Sequence, residues 1–221
     1  ARMEALGKNS LTEKESLSSA LKQKEKDLAE REKRIHELES LIAKKDEAVS
    51  SLKKKIADAL TGFNSNELTV TQRDGKVYVS LSDKLLFKSG SFTVDEKGKQ
   101  AIVKVAEVLN KQTEIGIVIE GHTDSKQYVN PKGEIKNNWD LSVMRAAMVT
   151  SIMITDGKVE ASRITPSGHA EFFPVESNET PEGRSKNRRI EIVLSPDLKE
   201  IFKILDNTNP WVLYLRPRWQ D

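Results

Sequence analysis

The chain has 221 residues, of which 37% are hydrophobic and 32% are charged. Its 36 Lys and Arg nearly balance its 34 Asp and Glu, so a net charge of +2 gives no overall electrostatic reason to expect nucleic-acid binding. The absence of cysteine excludes disulfides, thiolate catalysis and cysteine-ligated metals. No run approaches the length of a membrane span and no signal peptide opens the sequence, so we expect a mature or truncated chain, with any lipid-anchoring cysteine upstream.

A heptad pattern runs through residues 17–59 and predicts a coiled coil. Its seam positions, alternately four and three residues apart, are Leu17, Leu21, Lys24, Leu28, Arg31, Ile35, Leu38, Ile42, Lys45, Val49, Leu52, Ile56 and Ala59. This 3.5-residue repeat keeps one narrow apolar stripe facing a partner helix. The alternative is a single charged helix stabilised by pairs four residues apart. We expect a coiled-coil stalk over residues 1–62 that self-associates in parallel, with Gly62 ending the helix.

Residues 63–197 alternate between strand and helix signals and predict one globular domain. The expected elements are strands at 68–70 and 77–81 around an Asp74-Gly75 turn, a loop at 85–91, a helix at 95–111, a strand at 115–120, a helix from its cap Asn138 to about Thr155, a strand at 163–167, a polar loop through Asn187 and a strand at 189–194. The order ββαβαβ(β) predicts an α+β fold, a two-layer α/β sandwich with helices on one face of a mixed sheet. Residues 198–221, with Trp211, Tyr214 and Trp219, form a tail whose role the sequence leaves open.

Three phrases in the globular part carry a family resemblance. They are Ile-Glu-Gly-His-Thr-Asp (119–124), Asn-Trp-Asp-Leu-Ser-Val-Met-Arg-Ala-Ala (138–147) and Glu-Gly-Arg-Ser-Lys-Asn-Arg-Arg-Ile-Glu-Ile (182–192). In order and spacing, over roughly residues 66–197, they resemble the OmpA-like domains, which hold the peptide stem of peptidoglycan in the periplasm. The resemblance implies a non-catalytic anchor that ties an envelope protein, tethered to the outer membrane, to the cell wall.

The resemblance also assigns a binding site. In the family, the Asp of Gly-His-Thr-Asp and the Arg of Leu-Ser-x-x-Arg recognise the diaminopimelate-type residue of the stem, and they match Asp124 and Arg145 here. A diamino-diacid presents an ammonium beside a carboxylate, so a fixed carboxylate beside a guanidinium is its physical complement. The alternative is a purely structural salt bridge between Asp124 and Arg145.

Four further residues are candidates for the same crevice. Thr123 and Asn138 are expected to offer hydrogen bonds, with turn or capping roles as the alternative. The family favours Arg188 over its neighbour Arg189 as a second cation. Phe87 matches an aromatic beside the pocket, but Lys88 stands where relatives often carry an acidic residue.

Two alternatives to this assignment remain open. The segment 125–137 is long for a strand-to-helix connection and predicts a mobile lid. Together with the Asn-Trp-Asp-Leu-Ser phrase it is similar to MotB-like stator subunits, so a stator or another envelope-complex component is one alternative. A coiled-coil scaffold with a degenerate wall-binding domain is the other.

The sequence contains no motif that indicates catalysis. Nucleophile-elbow, Walker, HExxH and dinucleotide-binding motifs are all missing, and one histidine beside Asp124 offers too few ligands for a metal. We therefore expect no enzyme activity, no cofactor and no metal. The expected partners are the peptidoglycan stem peptide, a second copy of the chain through the coiled coil and an envelope protein.

Overall fold

The computed structural model describes residues 2–88, 91–128 and 135–206, with the backbone alone for residues 2–12, Glu200 and Asp206. Part of the predicted loop at 85–91, part of the predicted lid at 125–137 and the tail aromatics Trp211, Tyr214 and Trp219 lie outside the described residues. The chain divides into two compact units. One runs from Lys45 to Asp197, and the other combines the preceding helical residues with a short helix at the C-terminal side.

The elements follow the predicted order with three added short helices. They are α1 (Arg2–Ala59), β1 (Leu68–Arg73), β2 (Lys76–Ser82), α2 (Asp83–Leu86), α3 (Glu96–Leu109), β3 (Ile115–His122), α4 (Asn138–Thr155), β4 (Ile164–Gly168), α5 (Pro181–Asn187), β5 (Arg189–Pro196) and α6 (Lys199–Asp206). Among the described helices, none is long and apolar enough to cross a bilayer.

The five strands form one mixed sheet in the order β1-β2-β5-β3-β4. Strands β3 and β4 are parallel, and the other neighbours are antiparallel. At the β1–β2 hairpin Arg73 pairs with Lys76, and the two turn residues Asp74 and Gly75 have φ of 51° and 68°. Positive φ at both positions gives the turn whose twist suits a two-residue hairpin. The predicted α+β fold with a mixed sheet is confirmed.

The hydrophobic core lies between the sheet and the helices. Strand β3 shows why: Ile115, Ile117 and Ile119 alternate onto the core side, whereas Glu120 and His122 lie on the opposite face. The largest fully buried side chains of the core come from α1, β2, α2, α3, β3, α4 and β5: Leu52, Ile56, Leu81, Leu86, Ile102, Leu109, Ile117, Ile119, Met153, Ile190, Ile192 and Leu194. These residues form one continuous cluster.

The predicted seam of α1 has two environments. In its upper part, Leu17, Leu21, Leu28, Ile35 and Ile42 are more than half exposed. Val49, Leu52 and Ile56, further along, are buried in the globular core. The compact unit therefore begins at Lys45, within the helix, and not at the predicted boundary of 62/63. The last turns of α1 bury their stripe against the domain's own core, so only the upper seam is left for a partner helix.

Three local predictions differ from the structure. Asp83–Leu86 forms a helical turn that starts before the predicted loop and is capped by Ser82, and α5 occupies part of the predicted polar loop before Asn187. Asn137, and not Asn138, caps α4: its side chain accepts the Asp140 N–H at 2.9 Å. Asn138 is thereby free to turn inward, which matters for the site.

Candidate functional site

Close packing of α4 on the ends of β3 and β4 positions the site. A Cβ atom at Gly121 would lie 2.1 Å from the Ser142 carbonyl oxygen, and one at Gly168 would lie 2.6 Å from Ser142 Oγ. Ser142 Oγ also accepts the Ala170 N–H at 3.2 Å, which fixes the chain after β4. Because only glycine allows this approach, the buried face of α4 carries Arg145 to the end of β3, where Asp124 follows.

Four charged side chains meet there, and we call Asp83, Asp124, Arg145 and Arg188 the charge quartet. Arg145 Nη2 lies 2.8 Å from Asp83 Oδ1, and Arg188 Nε lies 3.5 Å from Asp83 Oδ2. Arg188 Nη1 donates to Asp124 Oδ2. The structure thus brings the predicted residues Asp124, Arg145 and Arg188 together, but it pairs Arg145 with Asp83 and Asp124 with Arg188. The alternative of a direct salt bridge between Asp124 and Arg145 is not what the structure shows.

Arg145 is the most firmly held member of the quartet. Its Nε donates to the Ser91 carbonyl at 3.1 Å, and its guanidinium lies 4.7 Å from the centre of the Phe87 ring. Phe87 is therefore beside the site as predicted, on the face of the cation. The Arg145 side chain is only 4% exposed, whereas Arg188 is 31% exposed. Arg188 forms the accessible edge of the quartet.

Thr123 and Asn138 hold the backbone around Asp124. Thr123 Oγ1 donates to the Asp124 carbonyl at 3.1 Å. Asn138 Nδ2 donates to the Asp124 carbonyl at 3.3 Å, the Lys126 carbonyl at 3.1 Å and Glu171 Oε2 at 3.1 Å. Its Oδ1 accepts the Tyr128 N–H at 3.1 Å. Thr123 and Asn138 therefore stabilise the turn after β3, which is the alternative role that the sequence left open for each.

Burial sets the electrostatics of the quartet. It raises the pKa of Asp83, although the nearby Arg145 and Arg188 favour the ionised carboxylate. Burial also lowers the pKa of Arg145, with Asp83 as the largest opposing influence. A guanidinium nevertheless keeps its charge in proteins. Arg145 is thus a permanent cation in a poorly solvated position.

The sequence did not point to Asp83 or Glu171. Asp83 lies in neither of the phrases that suggested the site, and it reaches the quartet only because β2 pairs with β5 and its N–H donates to the Arg188 carbonyl at 3.0 Å. An acidic residue just before a Leu-Leu-Phe phrase was the one available signal. Glu171 follows β4 in the predicted connection and meets Asn138 through tertiary packing alone.

Strand alternation separates Arg188 from Arg189. Arg188 ends α5 and reaches the quartet, whereas Arg189 begins β5 on the other face of the sheet, 3.2 Å from Glu191. Among this pair, Arg188 is the residue that the family resemblance favoured.

Comparisons with known proteins agree with this architecture. The profile of the OmpA family matches residues 86–188. The chain is 36% identical over 118 residues to Motility protein B of Bacillus subtilis, covering 53% of this chain and 44% of that protein. It is 30% identical over 125 residues to YfiB of Escherichia coli, covering 57% of this chain and 74% of that protein.

A solved structure described as the cell wall anchor of the type VI secretion system (T6SS) from Pseudomonas aeruginosa is 26% identical, with a TM-score of 0.57 over 66% of this chain and 97% of the other. These similarities in sequence and in fold show which protein family the chain comes from. The chain belongs to the OmpA family. It spans less than half the length of Motility protein B.

Proposed function

We propose that the domain from Lys45 to Asp197 binds peptidoglycan without catalysis, through the diaminopimelate-type residue of the stem peptide. The observation that carries this proposal is the charge quartet, which places two carboxylates and two guanidiniums at one end of the sheet. The free end of a diamino-diacid carries one ammonium and one carboxylate on the same carbon. A site with both charges in fixed positions is complementary to both groups.

In the proposed complex the ligand ammonium contacts Asp124 and the ligand carboxylate contacts Arg145. The fork of Arg145 suits bidentate contact, since a guanidinium presents two parallel N–H groups to a carboxylate. Asp124 now pairs with Arg188, so ligand entry requires Arg188 to move from this contact. Its partial exposure leaves room for that movement. The similarity to the T6SS cell wall anchor supports binding to the cell wall.

Co-sedimentation with insoluble peptidoglycan tests this proposal. Asp124→Asn keeps the shape of the side chain but removes its charge, and Arg145→Lys keeps the charge but removes the fork. Each should lose most of the bound fraction, because removing one member of a buried charged contact typically costs about 2–5 kcal/mol.

The matched controls for that experiment are Asp156→Asn and Lys99→Gln, which break a surface ion pair of 3.0 Å in the same domain. They should sediment like the wild-type chain. Retained wall binding by both site variants, with unchanged circular dichroism, would exclude the charge quartet as the binding site.

A separate experiment tests whether the site is specific for a diaminopimelate-type stem residue. Isothermal titration with two stem peptides, which carry meso-diaminopimelate or L-lysine at the same position, compares ligands that differ in one carboxylate. We expect at least tenfold weaker binding of the lysine peptide, since a desolvated guanidinium that loses its partner costs more than about 1.4 kcal/mol. Equal affinities for the two ligands would mean that Arg145 does not contact the second carboxylate.

For the setting in the cell we propose the periplasm, with the full-length protein tethered to the outer membrane. A second candidate is a component of a motility-type envelope complex, which the similarity to Motility protein B favours. Fractionation of cells that produce the full-length protein distinguishes the two. Recovery with the outer membrane supports the first, and recovery with the inner membrane supports the second.

We also propose that the upper seam of α1 joins two or more copies. Its large apolar side chains are exposed in the single chain: Leu17, Leu21, Leu28, Ile35 and Ile42. The expected arrangement is parallel, so that several domains engage the wall together and gain avidity.

Sedimentation velocity tests this self-association. Ile35→Glu with Ile42→Glu should give monomers, whereas Ala29→Glu with Ala43→Glu, on an outward-facing position of the same heptads, should leave the assembly intact. A monomeric wild-type chain at micromolar concentrations would exclude the association.

A further inference from the structure

A second cluster of charged and imidazole groups lies on the sheet face opposite the core. Glu120 and His122 alternate onto this face of β3, and Glu191 of β5 lies directly opposite Glu120 in the strand register. His122 Nε2 is 3.8 Å from Glu120 Oε2 and 3.9 Å from Glu191 Oε2. One ligand atom from each of these three residues lies within 4.8 Å of the others.

His122 is the unusual member of this cluster. Its side chain is only 3% exposed, and within the described part of the chain neither ring nitrogen has a hydrogen-bond partner. A buried polar group without a partner is costly. The carboxylates of Glu120 and Glu191 lie opposite each other on neighbouring strands, where like charges repel, although Arg73 and Arg189 already offset the charge of Glu191. A cation between the three groups would give His122 a partner.

We propose that Glu120, His122 and Glu191 form a site for a divalent transition-metal ion of the zinc class. One imidazole nitrogen and two carboxylate oxygens suit zinc better than calcium or magnesium, which prefer oxygen ligands alone. Zinc–ligand bonds of about 2.0–2.1 Å place tetrahedral ligands roughly 3.4 Å apart, so each carboxylate needs to approach His122 by about half an ångström. The two carboxylate oxygens lie within 4.8 Å of each other and need to approach by up to about 1.4 Å. Water takes the remaining position.

The neighbouring His169 covers the site without joining it. Its ring stacks on His122 with the centroids 5.0 Å apart and an angle of 14° between the planes. Imidazole lone pairs lie in the ring plane, so two nearly parallel rings do not converge on one ion. Burial lowers the pKa of His122, which leaves the ring neutral and its lone pair available at neutral pH.

Two arginines already contact Glu191, and they determine how the ion would enter. Arg189 Nε lies 3.2 Å from Glu191 Oε1, and Arg73 Nη2 lies 3.3 Å from Oε2. Oε2 is also the oxygen that faces His122, so Arg73 competes with the ion. Arg73 is half exposed and stacks on the Tyr78 ring at 3.9 Å, so it can leave the carboxylate and remain on the ring.

The sequence analysis predicted no metal because a single histidine beside Asp124 offered too few ligands. The pairing of β3 with β5 could not be read from the sequence. The register of β3 and β5 supplies the two carboxylates. The site is separate from the charge quartet, although His122 precedes Asp124 by two residues and Arg189 follows Arg188. An ion here would tie together the two strands that carry Asp124 and Arg188.

The test uses the full chain, with Co²⁺ as a spectroscopic probe and Zn²⁺ in isothermal titration. We expect about one equivalent of Zn²⁺ per chain and the visible absorption of tetrahedral Co²⁺. Glu120→Gln, at a quarter-exposed position, should weaken Zn²⁺ binding by at least about tenfold. Arg73→Gln should strengthen it severalfold, a gain that damage to the fold does not produce.

His36→Gln is the matched control, since His36 lies 3.3 Å from Glu39 on the exposed helix and could hold an adventitious ion. It should leave Zn²⁺ binding unchanged. The proposal is overturned if the chain does not bind Zn²⁺, if binding is lost in His36→Gln, or if Glu120→Gln binds like the wild type.

Discussion

Replacement of Arg145 by alanine should lower the free energy of unfolding of the domain by about 3–5 kcal/mol. The change removes the guanidinium 2.8 Å from Asp83 Oδ1 and leaves that carboxylate largely buried. It also removes the hydrogen bond to the Ser91 carbonyl and the contact with the Phe87 ring. Arg188 remains 3.5 Å from Asp83, so we expect the lower part of the range.

A double-mutant cycle separates the ion pair from the other lost contacts. Asp83→Asn removes the carboxylate charge, so Arg145→Ala should be less damaging in that background, with a coupling energy of about 1–3 kcal/mol. Urea denaturation of the full chain, followed by near-ultraviolet circular dichroism, measures the four unfolding free energies. Lys99→Gln, in a surface ion pair, is the control and should change little. Additive effects of the two substitutions would show that Asp83 and Arg145 are not energetically paired.

Three further outcomes follow from the geometry around the site. Gly121→Ala should destabilise the domain by about 1–3 kcal/mol in urea denaturation, because its methyl group meets the Ser142 backbone, whereas Gly116→Ala, with 3.8 Å to its nearest neighbour, should not show this clash. Equal losses in the two variants would contradict the packing argument. Because burial raises the pKa of Asp83, the stability linked to its protonated form is present below the ordinary Asp pKa of 3.8 and is lost as the pH rises through the folded pKa. The stability of Asp83→Asn relative to wild type should therefore increase from acid towards neutral pH in urea denaturation, and a constant difference would disprove the linkage. Asn138→Ala should speed amide hydrogen exchange at Tyr128, since it removes the side-chain oxygen that accepts the Tyr128 N–H; unchanged exchange would show that this N–H is protected by other contacts.

The longer strands and helices were predictable from the pattern of apolar and polar residues within each segment. Alternation in Ile115–Glu120 and the Asp74-Gly75 turn specify a half-buried strand and a hairpin by themselves. The helices α2 and α5 have four and seven residues, too few for a periodic pattern to develop. The heptad of α1 shows a different limit, because an apolar stripe looks the same whether it faces another helix or the domain's own core.

Three members of the charge quartet, Asp124, Arg145 and Arg188, were predictable from the sequence, but Asp83 and the pairings were not. Asp124 and Arg145 were recognisable from the phrases that contain them, yet their ion-pair partners are set by tertiary packing. Asp83 reaches Arg145 only through the β2–β5 register and the helical turn of α2. Asn138 was expected to cap α4, but Asn137 does so and leaves Asn138 to the loop. One residue of difference at a helix start changes which side chain enters the site.

The charge quartet is electrically neutral, and its two arginines already contact its two aspartates, so capture of the proposed ligand would be an exchange of partners. Each contact that a zwitterionic amino-acid end would form replaces one that Asp124 or Arg145 already has or could regain. The net affinity of one domain is then a small difference between two similar energies, and release is assisted by Arg188 returning to Asp124. Because no net charge is gained, added salt should weaken binding only slightly. If the proposed function holds, an attachment of this kind could move from stem to stem while the wall grows around it.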